Sequence, residues 1–435
     1  MVDHTATARI QRLVRWLEQF KRCFGHRAQL MALRTYVQGV FSDSERKSMQ
    51  AMLARVTEPV SYQAFQHFIT HAPWDANRVW RRLRAVIPER RGILILDGTS
   101  FPKQGPESVG VARQYCGALG KIANCQVATT VALWTGARAW FLGATLYLPD
   151  AWLTPERRQQ ARIPAAARFQ EKWRHALTLL RQVRAAGFEL TAVIGDAEFG
   201  DVTALRAALH RLRLPYALGI SSTLTVFLQR PRLVPPVPRD GGRGRPRSRR
   251  HVIDQPMTVR AVARQLPASA WRSISWRNGT QPRRRAHFTA LRVTPATGWR
   301  AGRLAPDVWL LCEREADGGV KHYFVDLPPG TTLRRLVGLA HQRWAIEQQY
   351  QELKSELGLD HFEGRTYPGW QHHVVLTAVA HAYIQRERMR RGAAGLTFPA
   401  VRAIVQEIFT ALLFAAKPRY MHWMEQAKHK LQLRI

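Results

Sequence analysis

Residues 92–99 read Gly92-Ile93-Leu94-Ile95-Leu96-Asp97-Gly98-Thr99. An unbroken apolar run of this length has the form of a central strand buried on both faces, since a half-exposed strand would alternate. Asp97 closes the run, so a carboxylate is expected at the end of a buried strand. Downstream, Asn124 to Trp134 and Arg138 to Leu148 read as two more strands, joined through Thr135-Gly136-Ala137 as a hairpin connection. From Ala165 to Ala186, Phe169, Trp173, Leu177, Leu180 and Val183 recur with a helical period, and Gly187 is placed to stop the helix. Glu189 to Gly195 then reads as a strand ending in Asp196, Val202 to Leu212 as a helix and Pro215 to Ile220 as a strand. The order β-β-β-α-β-α-β makes an α/β fold.

The flanks read differently. Residues 1–88 are helical in pattern, with amphipathic segments at Ile10 to Phe24 and Ala51 to Val56 punctuated by Pro59 and Pro73. The stretch Ser61 to Leu83 mixes Tyr62, Phe65, Phe68, Trp74 and Trp80 with Arg78, Arg81 and Arg82, which suits either a DNA-binding module or a packing subdomain. Residues 221–330 are rich in Pro, Gly and Arg, with β-like pieces at His287 to Val293, Trp309 to Cys312 and Tyr323 to Leu327, and read as an inserted, mostly β segment. A helix from Thr332 to Leu357 returns the chain to the main body. The expected division is 1–88, a helical N-terminal region that binds DNA or packs; 89–220 and 331–395, the two parts of the catalytic domain; 221–330, the basic insertion; and 396–435, a C-terminal helical tail.

With 66 Lys and Arg against 31 Asp and Glu, the formal charge of the 435-residue chain is +35, a field that favours a polyanion. Basicity alone does not separate nucleic acid from an anionic membrane. No run of 18 or more apolar residues is evident, and Val374 to Ile384 is short and carries His381. Arg9, Arg12, Arg15 and Lys21 interrupt what a signal peptide would need as its apolar core. A soluble, cytoplasmic protein with no membrane partner is expected. Cys23, Cys116, Cys125 and Cys312 show no C-x-x-C spacing, which suggests neither a disulfide framework nor a cysteine zinc site. Any metal must therefore be held by oxygen.

Two-metal phosphoryl chemistry requires carboxylates converging on two cations about 3.5–4 Å apart, because both the attacking and the leaving oxygen must be stabilised. Magnesium suits such a site, taking oxygen ligands and keeping several waters. Asp97 and Asp196 each follow an apolar strand directly; if those strands are adjacent and parallel, both carboxylates emerge at one sheet edge. Taken singly, each Asp is equally at home as a turn or N-cap residue. On a helix turning about 100° per residue, Arg343, Glu347 and Lys354 fall within a stripe of roughly 40°. Ile346, Tyr350, Leu353 and Leu357 form the adjacent apolar face, which puts Glu347 at the margin of the buried side, while Glu352 and Glu356 are expected to point to solvent. A salt-bridged helix surface is the plain alternative for this stripe.

The run Arg343-x3-Glu347-x6-Lys354 resembles the Tyr-Arg-Glu-Lys signature of a branch of bacterial insertion-sequence DDE transposases. Asp97-Gly98-Thr99, Ser108-Val109-Gly110-Val111-Ala112-Arg113-Gln114-Tyr115-Cys116 and Gly358-Leu359-Asp360-His361-Phe362-Glu363-Gly364-Arg365 are similar to the same group, and the resemblance spans about residues 60–410. It implies an RNase H-like catalytic domain with a β-rich insertion before the Glu helix. It also implies that Asp97, Asp196 and Glu347 hold two divalent ions, Mg²⁺ with Mn²⁺ as substitute, and that Arg343 and Lys354 grip end-DNA phosphates. The implied reaction is hydrolysis at transposon ends by metal-activated water, followed by attack of the freed 3′-OH on target DNA. Double-stranded DNA, a homodimer on that DNA and a bacterial, nucleoid-associated location are implied as well. The sequence departs from the signature at Ala340, where tyrosine is expected.

Arg243, Arg245, Arg247, Arg249 and Arg250 surround an Arg-Gly-Arg-Pro core of the kind that enters narrow minor grooves, or contacts phosphates more generally. Trp276 with Arg277, and Arg283 to Arg285, are further candidates for DNA contact. His372 and His373 are adjacent on a helix and so face different sides, which suits packing or phosphate contact better than zinc. Glu198 is a rival metal ligand. A catalytically silent DNA-binding descendant of a transposase and another RNase H-like nuclease are the competing functions.

Overall fold

A computed structural model describes residues 4–235, 250–276, 284–297, 304–315, 317–393 and 395–417. Strand β1 spans Arg91–Pro102, with Leu94, Ile95 and Leu96 fully buried. Asp97 therefore lies inside the strand rather than closing it. Its antiparallel neighbour continues opposite, so that Asp97 pairs with Thr130 and pairing runs on to Pro102 and Cys125. That neighbour, β3 (Lys121–Trp134), pairs on its side away from β1 with β2 (Ala112–Cys116) along its first residues and with β4 (Ala139–Leu146) along its last. β2 was not anticipated. It is a short edge strand whose Arg113 and Tyr115 face outward, so it lacks the apolar run that marks a buried strand.

Two helices follow, α6 (Pro155–Ala161) and α7 (Lys172–Ala185). The expected helix from Ala165 thus starts seven residues late, and Phe169 is exposed ahead of it. The Arg158 guanidinium collects the carbonyls of Leu153, Pro164 and Ala167 at 2.8, 2.9 and 2.8 Å, holding that stretch in turns. Gly187 ends α7 at φ +84°, a conformation that favours glycine. Next come β5 (Glu189–Gly195), α8 (Ala197–Gly200), α9 (Thr203–Arg211) and β6 (Tyr216–Ile220). β1, β5 and β6 run parallel, as a sheet built through helical crossovers requires.

Residues 221–330 supply β7 (Thr225–Phe227), β8 (Leu233–Val234), β9 (His251–Val252), β10 (Met257–Thr258), α10 (Val259–Gln265), β11 (Arg272–Trp276), β12 (Arg284–Pro295), β13 (Val308–Arg314) and β14 (Val320–Asp326). β14 pairs antiparallel with β6, so these strands extend the central sheet. The order is β10-β7-β12-β13-β14-β6-β5-β1-β3-β2, with β11 on β12 and β4 on β3; β8 and β9 pair separately. The result is a mixed α/β sheet covered by helices.

The N-terminal helices are α1 (His4–Glu18), α2 (Arg27–Val40), α3 (Met49–Ala54), α4 (Tyr62–Thr70) and α5 (Ala76–Val86). Phe65, Phe68, Trp74, Val79, Trp80 and Leu83 are buried against the body of the protein, while Arg78 and Arg82 donate to the carbonyls of Arg22 and Gln19 at 2.9 and 2.7 Å. These interactions are those of packing.

The stretch expected as one helix from Thr332 to Leu357 is α11 (Leu333–Ala340), a 3₁₀ turn at His341–Arg343, α12 (Trp344–Gln351) and a π turn at Glu352–Glu356. The π turn changes the angular count, and two expectations fall with it. Glu352 is buried, its Oε2 facing His381 Nε2 at 3.1 Å and Gln385 Nε2 at 3.0 Å, and Glu356 is ion-paired with Arg402 at 2.5 Å. Helix α13 (Tyr367–Glu387) is buried along most of its length, packed on α2, α4, α5 and β4. His372 lies 3.6 Å from the Trp74 ring and faces two backbone carbonyls, and His373 meets Tyr36 and the Leu359 carbonyl, so both serve packing. The last described helix, α14 (Phe398–Ala416), is long and apolar enough to cross a membrane, a run not singled out above, although Arg402 ties it to Glu356.

Candidate carboxylate site

The sheet register brings the first two acids together. Ile95 pairs with Ile194 across parallel β1 and β5, so Asp97 and Asp196, each two residues further on, lie level at the same side of the sheet. Asp97 is buried; Asp196 caps α8, its Oδ1 accepting from the Glu198 amide at 3.0 Å. The close backbone approach behind Asp196 depends on glycine. A Cβ on Gly200 would stand 1.7 Å from the Gly219 carbonyl oxygen, and one on Gly219 would crowd the Asp196 backbone at 3.3 Å.

Arg343, on the 3₁₀ turn, enters between the acids. Its Nη1 donates to Asp97 Oδ1 at 2.8 Å, and its Nη2 reaches Glu347 Oε1 at 3.3 Å from the same face of the helix. The Glu347 side chain is 68% exposed and that of Asp97 9%. Burial pushes the Asp97 carboxyl up to about 7, with Asp196 and Glu347 adding to the rise, although Arg343 and a hydrogen bond from Tyr350 oppose it. Asp196 is raised as well, by burial first and then by Glu198. Arg343, in turn, is pushed above its ordinary value by the three acids in spite of burial.

Lys354 takes its place from the π turn. Its Nζ donates to the Ser100 carbonyl at 3.0 Å, three residues along β1 from Asp97, and lies 5.3 Å from the centre of the Phe101 ring. It is joined to the site through β1 rather than through Arg343 and Glu347. Glu198 sits over Gly98 and is ion-paired with Lys172, so it borders the two aspartates. As placed, no three Asp, Glu, His or Cys side chains among the described residues group closely enough to hold one metal ion.

Asp196, Arg343 and Glu347 line a cleft of about 790 Å³, together with Trp276, Arg285 and Glu313; Asp97, buried, is joined to it through Arg343. Glu313, on β13, was not picked from the sequence. Burial pushes its carboxyl up, but hydrogen bonds from His341 and Tyr323 outweigh this and hold it below the usual range. Tyr350 was read only as part of an apolar face, yet its hydroxyl bonds to Thr130 Oγ1 beside Asp97. A tyrosine three residues after Glu347 was the available signal. Of the basic cluster, Arg250 is exposed, and Arg243, Arg245, Arg247 and Arg249 lie outside the described residues, as do Arg277 and Arg283.

A family model described as DDE superfamily endonuclease matches residues 19–283, more than half of the chain. The chain belongs to this family. Among its relatives is a probable transposase for insertion sequence element IS701 from Microchaete diplosiphon, 31% identical over 189 residues; the match covers 42% of this chain and 47% of that protein. The chain thus aligns with about half the length of that relative. The resemblance to insertion-sequence DDE transposases read from the motifs is in accord with both findings. A cryo-EM structure of the piggyBac transposase synaptic complex with hairpin DNA is similar at 9% identity and a TM-score of 0.43, covering 91% of this chain and 73% of that one, too distant a likeness to bear on the fold.

Proposed function

We propose that this DDE-family protein is a transposase that cuts DNA at the ends of an insertion sequence and joins the 3′-OH ends to target DNA, with Asp97, Asp196 and Glu347 as its metal-binding acids. The observation that carries the reading is the charge imbalance at Arg343. One guanidinium stands against three carboxylates, two of them largely out of water, and Asp97 is left half-titrated near neutrality. Such a set of hard oxygen donors, short of positive charge, fits divalent cations of the Mg²⁺ or Mn²⁺ kind.

Two bound ions would supply charge stabilisation for the entering and leaving oxygens of a phosphodiester. The chain's own residues do the rest. Parallel β1 and β5 hold Asp97 and Asp196 level, and Glu347, exposed at the cleft, has the freedom to swing toward them. Arg343 serves as a stand-in cation between the acids and, once they are otherwise neutralised, as a phosphate ligand in the cleft. Lys354, further along β1, offers a second phosphate contact. We read β1–β6 with the α12 carboxylate as an RNase H-like core and β7–β14 as the elaboration before it. Double-stranded DNA is the partner, a homodimer on two ends the working form, and the bacterial cytoplasm and its nucleoid the place of action.

The wedge of Arg343 between the acids favours a second reading, a silent DNA-binding descendant in which a guanidinium has replaced the metals. The test is incubation of the purified protein with the DNA that flanks its own coding region and Mg²⁺ or Mn²⁺. Nicked strands that Asp97→Ala, Asp196→Ala and Glu347→Ala no longer produce, while still shifting the duplex, support the enzyme; a shifted, uncut band with the intact protein supports the binder.

A further inference from the structure

We infer that the β2–β3 hairpin is a DNA-docking arm beside the carboxylate site, its outward face meeting the duplex through Tyr115 and Ile122; this rests on the reading of duplex DNA as substrate. Tyr115 and Ile122 are direct cross-strand partners, and they are 66% and 61% exposed. Two large apolar side chains paired on one face of a hairpin and left in water mark a binding surface more than a chance exposure. Leu119 at the tip is also exposed.

The arm is tied to the site. The Ala118 amide donates to Ser100 Oγ at 3.0 Å, and the Cys116 thiol lies 3.5 Å from the same oxygen, while Lys354 Nζ holds the Ser100 carbonyl. Ser100 is three residues from Asp97, about 10 Å along a strand. On its other flank, Leu119 at the tip borders a cleft of about 640 Å³ whose lining is of mixed charge, with Arg46, Lys103 and Arg365 beside Glu107, Asp360 and Glu363. A two-stranded ribbon is of a size to enter a major groove, where apolar contacts can be made to base edges and sugars.

Charge selects the partner. Arg113, on the same face of β2 as Tyr115, and Lys121, on the opposite face at the start of β3, are exposed and have no acidic partner among the described residues. A second copy docked through the same face would bring Arg113 against its own image, on a chain already at +35. A duplex presents phosphates to the cations and groove surface to the apolar pair.

The test is fluorescence anisotropy of the full chain against a linear duplex of mixed sequence, without divalent metal and over a range of salt. The double variant Tyr115→Ala, Ile122→Ala should weaken binding about tenfold with the slope of log affinity against log salt unchanged, because apolar contact releases no counterions. Arg113→Ala and Lys121→Ala should each lower that slope by about one. Wild-type affinity in the double variant overturns the inference. So does a wild-type dimer, seen by sedimentation without DNA, that the double variant dissociates while its DNA affinity is kept. Failure of the wild-type protein to bind duplex would instead remove the functional reading itself.

Discussion

The guanidinium of Arg343 joins two acids that are 250 residues apart in the chain, holding Asp97 Oδ1 at 2.8 Å through Nη1 and Glu347 Oε1 at 3.3 Å through Nη2. Because Arg343 opposes the rise of the Asp97 carboxyl, Arg343→Ala should leave that carboxyl protonated to higher pH. Protons and divalent ions compete for a carboxylate. Mn²⁺ binding, followed by calorimetry at several pH values, is therefore expected to set in at higher pH in Arg343→Ala than in wild type. Coincident pH profiles would show that the guanidinium does not govern the acid.

A second expectation concerns stability in the absence of metal. The folded-state value for Asp97 lies above its ordinary one, near 7 against 3.8. The stability owed to the neutral form is complete below about pH 4 and lost as pH rises through about 7. Asn cannot ionise, so Asp97→Asn should melt at a higher temperature than wild type at pH 8, and the two should converge near pH 4. Thermal melts in chelator at both pH values give the comparison. A lower midpoint for the variant at pH 8 would mean that the ion pair with Arg343 outweighs the burial of charge.

The π turn after α12 rests on Glu352, which is buried against His381 and Gln385. Removing the buried carboxylate takes the acceptor from His381 Nε2 and leaves Gln385 Nε2 only its 3.4 Å contacts with the Ala139 carbonyl and His381, and Glu352→Ala should lose on the order of 3 kcal/mol in urea unfolding. Glu352→Gln keeps a carbonyl acceptor and should lose distinctly less. Equal losses would show that the contact is one of volume alone.

Gly200 makes a prediction that links packing to the site. With 1.7 Å to the Gly219 carbonyl oxygen, Gly200→Ala has to separate α8 from β6, at a cost of about 3 kcal/mol or more. The displaced turn carries Asp196, so strand cleavage should fall together with the unfolding midpoint. Retention of both would contradict the tight approach.

The buried strand at 93–96 and the later strands β5 and β6 were legible in the sequence because apolar runs of that length have few alternatives once they end in turn residues. That Asp97 and Asp196 lie level followed from the sequence only on the condition that their strands be adjacent and parallel, which the register of β1 on β5 supplies. What could not be read was local geometry set by distant partners. Asp97 lies within β1, because β3 supplies backbone partners past it, and no feature of residues 97–102 announces that. The π turn moved Glu352 from an expected solvent position into the core, since a fixed angle per residue holds only for a regular helix. The delayed start of α7 follows from an Arg158 side chain that gathers carbonyls no periodicity can reveal. Glu313 escaped notice because a carboxylate on a β13 residue gains meaning only when His341, from another element, meets it.

In the proposed function, Asp97, Asp196 and Glu347 together bind divalent ions. The most direct measurement of that binding is a calorimetric titration of Mn²⁺ into the purified full chain and into Asp97→Asn, Asp196→Asn and Glu347→Gln. Saturable binding by the wild-type protein is expected, which each substitution abolishes or weakens by at least about tenfold. Binding by all three variants with wild-type affinity and stoichiometry would contradict it.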